Sequence, residues 1–277
     1  MIVIVDSGST KSDWATIHVD GQVVRHTLVG INPATNIDLD AIELPESLKD
    51  IMSRVNKMYF YAAGLGIDAT NDKLLKWIES YQFKGETILQ SDIYGAIAAT
   101  CGTAPGIVGI LGTGSNSCTY DGYNIIDTIP SLGYILSDEG GGVDLGKKII
   151  SQYFYRLMPP NIKAKFELKY KITRPEVLHH LYSSSNGSKY LASFSEFLIT
   201  IDDPWKDDLI AASFDNFIKL RILPYSNATD LPIHFVGSIA FYYQNYLAIS
   251  LKKHNLHLGT IIKAPIENLI NFHSQNK

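Results

Sequence analysis

Four consecutive apolar residues, Ile2 to Val5, open the chain and stop at Asp6, the pattern of a short buried strand. Ser7-Gly8-Ser9-Thr10 then reads as a tight turn, and Lys11 to Ile17 starts a second strand. Asp20-Gly21 is a two-residue turn signal, and Gln22 to Val29 alternates enough for a third strand, broken at Gly30-Ile31-Asn32-Pro33. Leu39, Ile42, Leu48, Ile51, Met52 and Val55 recur at helical spacing over 38–55, with Pro45 interrupting the middle. Lys57 to Ala63 predicts a central strand. Residues 71–81 predict a helix with Leu74, Leu75 and Ile78 on one face, and Thr87 to Gln90 a short strand. Asp92 opens a helix through Thr100 that ends at Gly102 and Pro105. An antiparallel meander followed by βα units predicts a mixed five-stranded sheet flanked by helices.

The second half begins the same way. Ile107 to Leu111 is an apolar strand that runs into Gly112-Thr113-Gly114-Ser115, and strands are expected at 107–111, 116–121 and 123–128. Gly140 to Tyr155 reads as a glycine-rich turn entering a helix. Residues 161–222 are mostly helical by spacing, with breaks near Pro175, Asn186-Gly187-Ser188 and Asp203-Pro204. Ile233 to Val236 is a strand entering Gly237-Ser238. A helix over 241–253, a strand over 257–264 and a helix over 267–272 complete the chain. Gly102, Pro105 and Gly106 suffice for a hinge between the halves but not for a flexible tether.

The recurring strand–turn–strand unit is where chemistry enters. Such a turn can aim backbone N–H groups and small hydroxyls into one concavity, an anion nest whose usual occupant is phosphate. Gly8 lets a backbone approach a ligand with no Cβ in the way, and Asp6 at the strand end can hold a hydrated Mg²⁺. An ordinary hairpin with polar turn residues has the same pattern. The sequence GxxxxGK[ST] occurs nowhere, and no strand–GxGxxG–helix unit is present. Asp92, directly after a strand and at a helix start, can cap backbone N–H groups or accept the proton of an attacking hydroxyl. Asp138 and Glu139 precede three glycines; in extended backbone only one of them faces a given pocket. The alternative for that pair is a solvated acidic turn, and Asp144 reads as surface charge. Asn32 alone is compatible with a turn role.

Composition narrows the partners. The 277 residues carry a net charge of −4 with no long basic run, which argues against nucleic acid. No apolar run reaches the roughly 18 residues of a membrane span, and the start lacks the basic and apolar regions of a secretory signal. Cys101 and Cys118 are the only cysteines and lack metal-ligand spacing, so a reduced cytoplasmic setting is expected. The eight histidines form no HExxH, and His254-x-x-His257 has no partners at metal spacing.

Six stretches together resemble the sugar-kinase, Hsp70 and actin superfamily, and within it the N-acetylglucosamine kinase branch grouped with the BadF/BadG/BcrA/BcrD-type ATPases. They are DSGSTKSDW (6–14), GINP (30–33), SDIYGAIAAT (91–100), GILGTGS (109–115), SDEGGGVDLG (137–146) and FVGSIA (235–240), in the family's order and spanning nearly the whole chain. The resemblance implies an α/β fold of two ribonuclease H-like domains, of the actin and hexokinase type, with mixed five-stranded sheets and a cleft between them. It places one domain at 1–104, joined by the terminal helix 266–277, and the other at 105–265. It implies a cytoplasmic, ATP- and Mg²⁺-dependent kinase, possible as a homodimer, that phosphorylates an amino sugar, with N-acetylglucosamine converted to its 6-phosphate first among the options. Asp92 takes the family's catalytic base position. Asn32, Asp92, Thr113 and Asp138 take substrate positions. Ser7, Gly8, Ser9, Thr10, Lys11, Gly112, Thr113, Gly114, Ser115, Gly237 and Ser238 take nucleotide and phosphate positions. Asp6 takes the Mg²⁺ position, through water. Ser7 and Ser238 stand where glycines are frequent. Two rival readings use the same fold. An activator of 2-hydroxyacyl-CoA dehydratase needs iron–sulfur cysteines in a glycine-rich context, which Cys101 and Cys118 lack. A non-catalytic ATP-gated sugar sensor or scaffold would bind nucleotide without turnover.

Overall fold

The computed structural model of the chain describes residues 1–34, 38–66, 68–184 and 186–275. It divides into two compact units, Met1–Thr103 with Ala264–Lys277, and Ala104–Lys263.

In the first unit β1 (Ile2–Ser7), β2 (Lys11–Ile17) and β3 (Val23–Val29) form the meander. Helix α1 (Glu46–Met52) precedes β4 (Lys57–Ala62), and α2 (Asp68–Ser80) leads to β5 (Glu86–Ser91) and α3 (Asp92–Thr100). The sheet order is β3-β2-β1-β4-β5, antiparallel across the meander and parallel from β1 to β5. Strand β1 is thus central, which explains why Val3, Ile4 and Val5 are all buried with no polar alternation. One face packs Val3, Val5, Trp14, Met58 and Phe60 against α1 and α2 residues such as Leu48, Met52, Leu74 and Trp77. On the other, the C-terminal helix (Ile266–Gln275) lays the His273 ring on Tyr59 at 3.8 Å, and His273 Nε2 shares a 3.0 Å hydrogen bond with the Tyr61 hydroxyl. The helical spacing expected over 38–55 is realised only from Glu46: Pro45 cannot lie inside a helix, so it becomes the cap, and Leu39 and Ile42 enter the core from turns.

In the second unit β6 (Gly106–Leu111), β7 (Ser115–Tyr120) and β8 (Ile125–Thr128) repeat the meander. Helices follow at α4 (Gly133–Leu136), α5 (Gly142–Phe154), α6 (Pro160–Lys169), α7 (Arg174–Tyr182), α8 (Gly187–Ser193) and α9 (Pro204–Phe217). A 3-10 segment spans Phe194–Thr200, and a single π turn, Ile218–Ile222, ends the helical layer. Strand β9 (Pro232–Val236), α10 (Ser238–Tyr242), α11 (Gln244–Lys253) and β10 (His257–Ile262) complete an order β10-β9-β6-β7-β8. The expected helix over 241–253 is two helices that break at Tyr243. A phenylalanine cluster of Phe166, Phe194, Phe197, Phe214 and Phe217 fills the space between this sheet and its helices. Gly109 lies in the sheet interior because a Cβ there would stand 2.8 Å from the Phe235 ring.

Candidate active site

The site is built where strands end. In the first unit, register pairs Asp6 with Asp13 across the antiparallel step and with Tyr61 across the parallel one, and pairs Tyr61 with Gln90. Directly paired residues share a sheet face. Asp92 starts α3 two positions beyond Gln90, so it shares the parity of that row at the carboxyl end of β5. Open α/β sheets bind ligands at this end.

Three carboxylates converge there with little to neutralise them. Asp13 is anchored from both sides: its Oδ1 accepts from Thr27 Oγ1 at 2.8 Å and its Oδ2 from Lys11 Nζ at 2.6 Å. Burial, then the charges of Asp13 and Asp92, push the Asp6 carboxyl up to about 7, partly offset by Lys11. Burial alone pushes Asp92 up to about 6, against the backbone amides of Ile93 and of Asp92 itself. Asp92 thus faces the backbone N–H groups at the start of α3 while burial keeps its proton affinity above that of a free carboxylate. Among the described residues no group of three or more His, Cys, Asp or Glu has the geometry to enclose a metal. The donor set suits an ion that takes one carboxylate and fills its other positions with water and phosphate oxygens, which is the habit of Mg²⁺.

The loops beside this cluster are tied together by residues that a turn motif alone does not explain. Ser7 is buried; its Oγ donates to Ile31 O at 2.9 Å and accepts from Ile31 N at 2.7 Å. Gly30 lies so close to the first turn that a Cβ would stand 2.3 Å from Gly8 O. Asn32 Nδ2 donates to Ser9 Oγ at 3.2 Å, while its Oδ1 accepts from Ala34 N at 3.1 Å. The Ser7 hydroxyl is committed to Ile31. Gly8 N donates to Lys11 O at 3.0 Å, closing the turn, so what Gly8 offers a ligand is room: its Cβ position meets only Lys11 O, at 3.8 Å.

The second unit repeats the device. Gly112 N donates to Gly114 O at 3.0 Å, and nothing lies within 4 Å of the Gly112 Cβ position. This turn rests on the segment 138–143. Ser115 N donates to Asp138 Oδ1 at 3.0 Å, Gly142 N to Gly112 O at 2.8 Å and Val143 N to Thr113 O at 2.9 Å. Glycines 114 and 141 are forced: a Cβ on Gly114 would meet Asp138 Oδ1 at 2.6 Å, and one on Gly141 would meet Gly114 O at 2.6 Å. Asp138 itself adopts φ 72°, a left-handed conformation that Asp tolerates better than most residues. Asp144, expected at the surface, is buried; it accepts from Gly140 N at 3.2 Å and from Ser213 Oγ and Lys148 Nζ, and so braces the glycine-rich turn. At the third loop, Gly237 (φ 126°) lets β9 turn into α10 with a Cβ position only 2.2 Å from Leu111 O, and Ser238 is the first residue of that helix.

Sequence reasoning missed Asp13, although it pairs with Asp6 in any two-strand hairpin of this register, and it missed the role of Ser7. Arg221, buried in the second unit, carries no local sequence signal.

A solved structure from Porphyromonas gingivalis, named as a candidate N-acetylglucosamine kinase, is 36% identical, with a TM-score of 0.91 over 100% of this chain and 99% of that one. The chain belongs to the N-acetylglucosamine kinase family. Its fold is that of the sugar kinases and actin-like ATPases. A curated relative from Clostridium acetobutylicum, N-acetylmuramic acid/N-acetylglucosamine kinase, is 24% identical over 210 residues, 70% of this chain and 68% of the relative. A second structure, a candidate N-acetylglucosamine kinase from Chromobacterium violaceum, shares the fold at 15% identity and a TM-score of 0.63, covering 98% of each chain. No family model matches the chain. Among the described residues no helix is long and apolar enough to cross a membrane.

Proposed function

We propose that this amino-sugar kinase transfers the γ-phosphoryl group of ATP to the 6-hydroxyl of its sugar, with N-acetylglucosamine the first candidate. The observation that carries the reading is the carboxylate row at the ends of β1, β2 and β5, in a chain that matches an N-acetylglucosamine kinase-family structure over its full length.

Phosphoryl transfer asks for positioning and charge stabilisation more than for covalent help. Asp92 is assigned to the acceptor hydroxyl. With its carboxyl raised to about 6 it is mostly ionised at pH 7, yet basic enough to take the hydroxyl proton as the O–P bond forms and ADP departs. Asp6 is assigned to Mg²⁺, with water completing the set, and Asp13 adds negative charge beside it while restraining Lys11. Mg²⁺, when bound, neutralises charge on the phosphate oxygens. Ser9, Thr10 and Lys11 in the first unit, and Thr113, Gly114 and Ser115 in the second, are assigned to phosphate. Gly8 and Gly112 leave the space those phosphates need. Gly237 and Ser238 are assigned to the adenosine. Asn32 and Asp138 are assigned to sugar hydroxyls, each already oriented by a hydrogen bond to its neighbouring loop.

The test is ADP release with a panel of glucose, glucosamine, N-acetylglucosamine, N-acetylmannosamine and N-acetylmuramic acid, followed by ¹H–³¹P correlation of the product. N-acetylglucosamine should give the highest kcat/KM, with phosphorus coupled to the C6 protons. ADP release that no sugar stimulates overturns the kinase reading and favours the non-catalytic one; coupling to any other carbon overturns the 6-phosphate.

A further inference from the structure

Arg221 is 3% exposed and sits on the single π turn that ends the helical layer of the second unit. A guanidinium so placed should have every N–H satisfied, because burying an unpaired donor of a charged group is costly. Only Nη1 meets that condition: it donates to Ile129 O at 3.1 Å and Pro130 O at 2.7 Å. Nε and Nη2 have no hydrogen-bond partner among the described residues. The nearest opposite charge is Glu139 Oε2, 3.7 Å from Nε, an ion pair just beyond hydrogen-bond reach.

These partners lie at the two feet of one segment. Residues 129 and 130 come before it and Glu139 after it, and between them runs α4 with Leu132, Ile135 and Leu136 at 66%, 73% and 73% exposure. The first foot is gripped twice, since Ile129 N also donates to the Tyr225 hydroxyl at 3.1 Å. That hydroxyl shares a 2.8 Å bond with Ser117 Oγ, which donates in turn to Arg221 O at 2.9 Å. The second foot includes Asp138, whose carboxylate holds the Gly112–Ser115 turn. Between the feet only Tyr134, half-buried over Gly187, anchors the strap to the core, so its position depends chiefly on its two ends.

We infer that Arg221 is a positioning residue: by bridging the carbonyls of Ile129 and Pro130 to the carboxylate of Glu139, it clamps both ends of the 131–137 strap and so sets the position of Asp138. This rests on the reading of Asp138 as a sugar contact. The π turn supports it, since that extra residue turns the Arg221 side chain inward from a helix end whose neighbours Lys219 and Leu220 are exposed. The open Nε and Nη2 donors give Glu139 a bidentate seat into which the pair can tighten when the loop is loaded.

Glu139→Gln and Arg221→Lys test it by hydrogen exchange of the ligand-free protein followed by mass spectrometry. Glu139→Gln keeps the shape and a hydrogen-bonding oxygen, so it remains informative where Arg221→Lys fails to fold. The clamp predicts exchange over peptides 129–139 faster by roughly tenfold in Glu139→Gln, with α5 and β6 unchanged. It also predicts KM for the amino sugar raised roughly tenfold or more, with KM for ATP changed less than twofold. Unchanged exchange over 129–139, or faster exchange throughout the second unit, overturns the clamp. Exchange localised as expected with an unchanged sugar KM keeps the clamp and overturns the placement of Asp138 through it. A wild-type protein without sugar-stimulated turnover fails the kinase reading, while the exchange result still stands.

Discussion

Replacing Asp6 with Asn should make the metal-free protein more stable above neutral pH and flatten its pH dependence. The sign follows from the direction of the shift. Asp6 in the folded chain holds its proton up to about 7, against 3.8 for the free carboxyl. Between those values the folded state binds more protons than the unfolded one, so stability falls as pH rises and the full penalty stands above pH 7. A shift of about three units corresponds to a ceiling of roughly 4 kcal/mol. Asp6 shares its charge with Asp13 and Asp92, and some of the penalty passes to them when Asp6 is neutralised. An increment of about 1–3 kcal/mol at pH 8 is therefore expected, or roughly 2–12 °C in Tm at the usual 2–4 °C per kcal/mol for chains of this size. The assay is scanning calorimetry with EDTA from pH 4.5 to 8.5, taking the difference between variant and wild type so that all other titrating groups cancel. The difference should grow steadily from pH 4.5 to about 7 and level off above it. Equal slopes for the two proteins, or a less stable variant at pH 8, would refute the claim that uncompensated carboxylate charge is stored at Asp6. Adding Mg²⁺ with ATP should then stabilise wild type more than the variant.

Three further outcomes follow from the same geometry. Asp92→Asn should lower kcat by roughly 10²-fold or more while sugar binding by calorimetry stays within a few-fold; full turnover in the purified variant removes Asp92 from the chemistry. Gly30→Ala should cost more than 2 kcal/mol and weaken ATP binding, because its Cβ would stand 2.3 Å from Gly8 O and 2.7 Å from Thr10 N with only backbone to yield; a wild-type denaturant midpoint would show that the two loops are not in contact. Ser7→Ala should cost about 1–3 kcal/mol through the two hydrogen bonds to Ile31, and Ser7→Gly more than Ser7→Ala; equal stability of all three proteins contradicts the role given to that hydroxyl.

What the sequence made legible was what repeats locally. Apolar runs Ile2–Val5 and Ile107–Leu111, each followed by Gly, Ser and Thr, mark the central strands and their turns without knowledge of the partners. Asp92 was legible because strand end and helix start meet at one residue. Apolar spacing misled the reading of 38–55, although Pro45 marked the break, because periodicity of apolar positions survives when a segment supplies core residues from turns, as Leu39 and Ile42 do. The long-range ties were not legible. Ser7 to Ile31, Asp138 to Ser115, and Arg221 to Ile129 join residues far apart in the chain, and no spacing rule encodes such a pair.

The two glycine-rich turns show how this matters for function. By sequence they differ little: each offers glycine, serine and threonine after a buried strand. In the structure each spends its leading amide on closing itself, Gly8 N on Lys11 O and Gly112 N on Gly114 O. Each is then shaped from outside by a carboxyl-free brace in one case and an acidic brace in the other. The first is held by Ser7, Gly30 and Asn32, all neutral, beside three carboxylates that already repel. The second carries its own carboxylate, Asp138, beneath Gly114 and Ser115, with Lys147 and Arg221 lowering its proton affinity against burial. An acidic brace at the first turn would add a fourth negative charge beside the proposed phosphate position. At the second, Arg221 and the half-buried Lys147 partly offset that charge against burial and Glu139, and Ser115 N holds the carboxylate in the turn. The two otherwise equivalent turns thus differ in the charge of their braces: the proposed metal position of Asp6 lies beside the neutral brace, and the proposed sugar contact of Asp138 belongs to the acidic one.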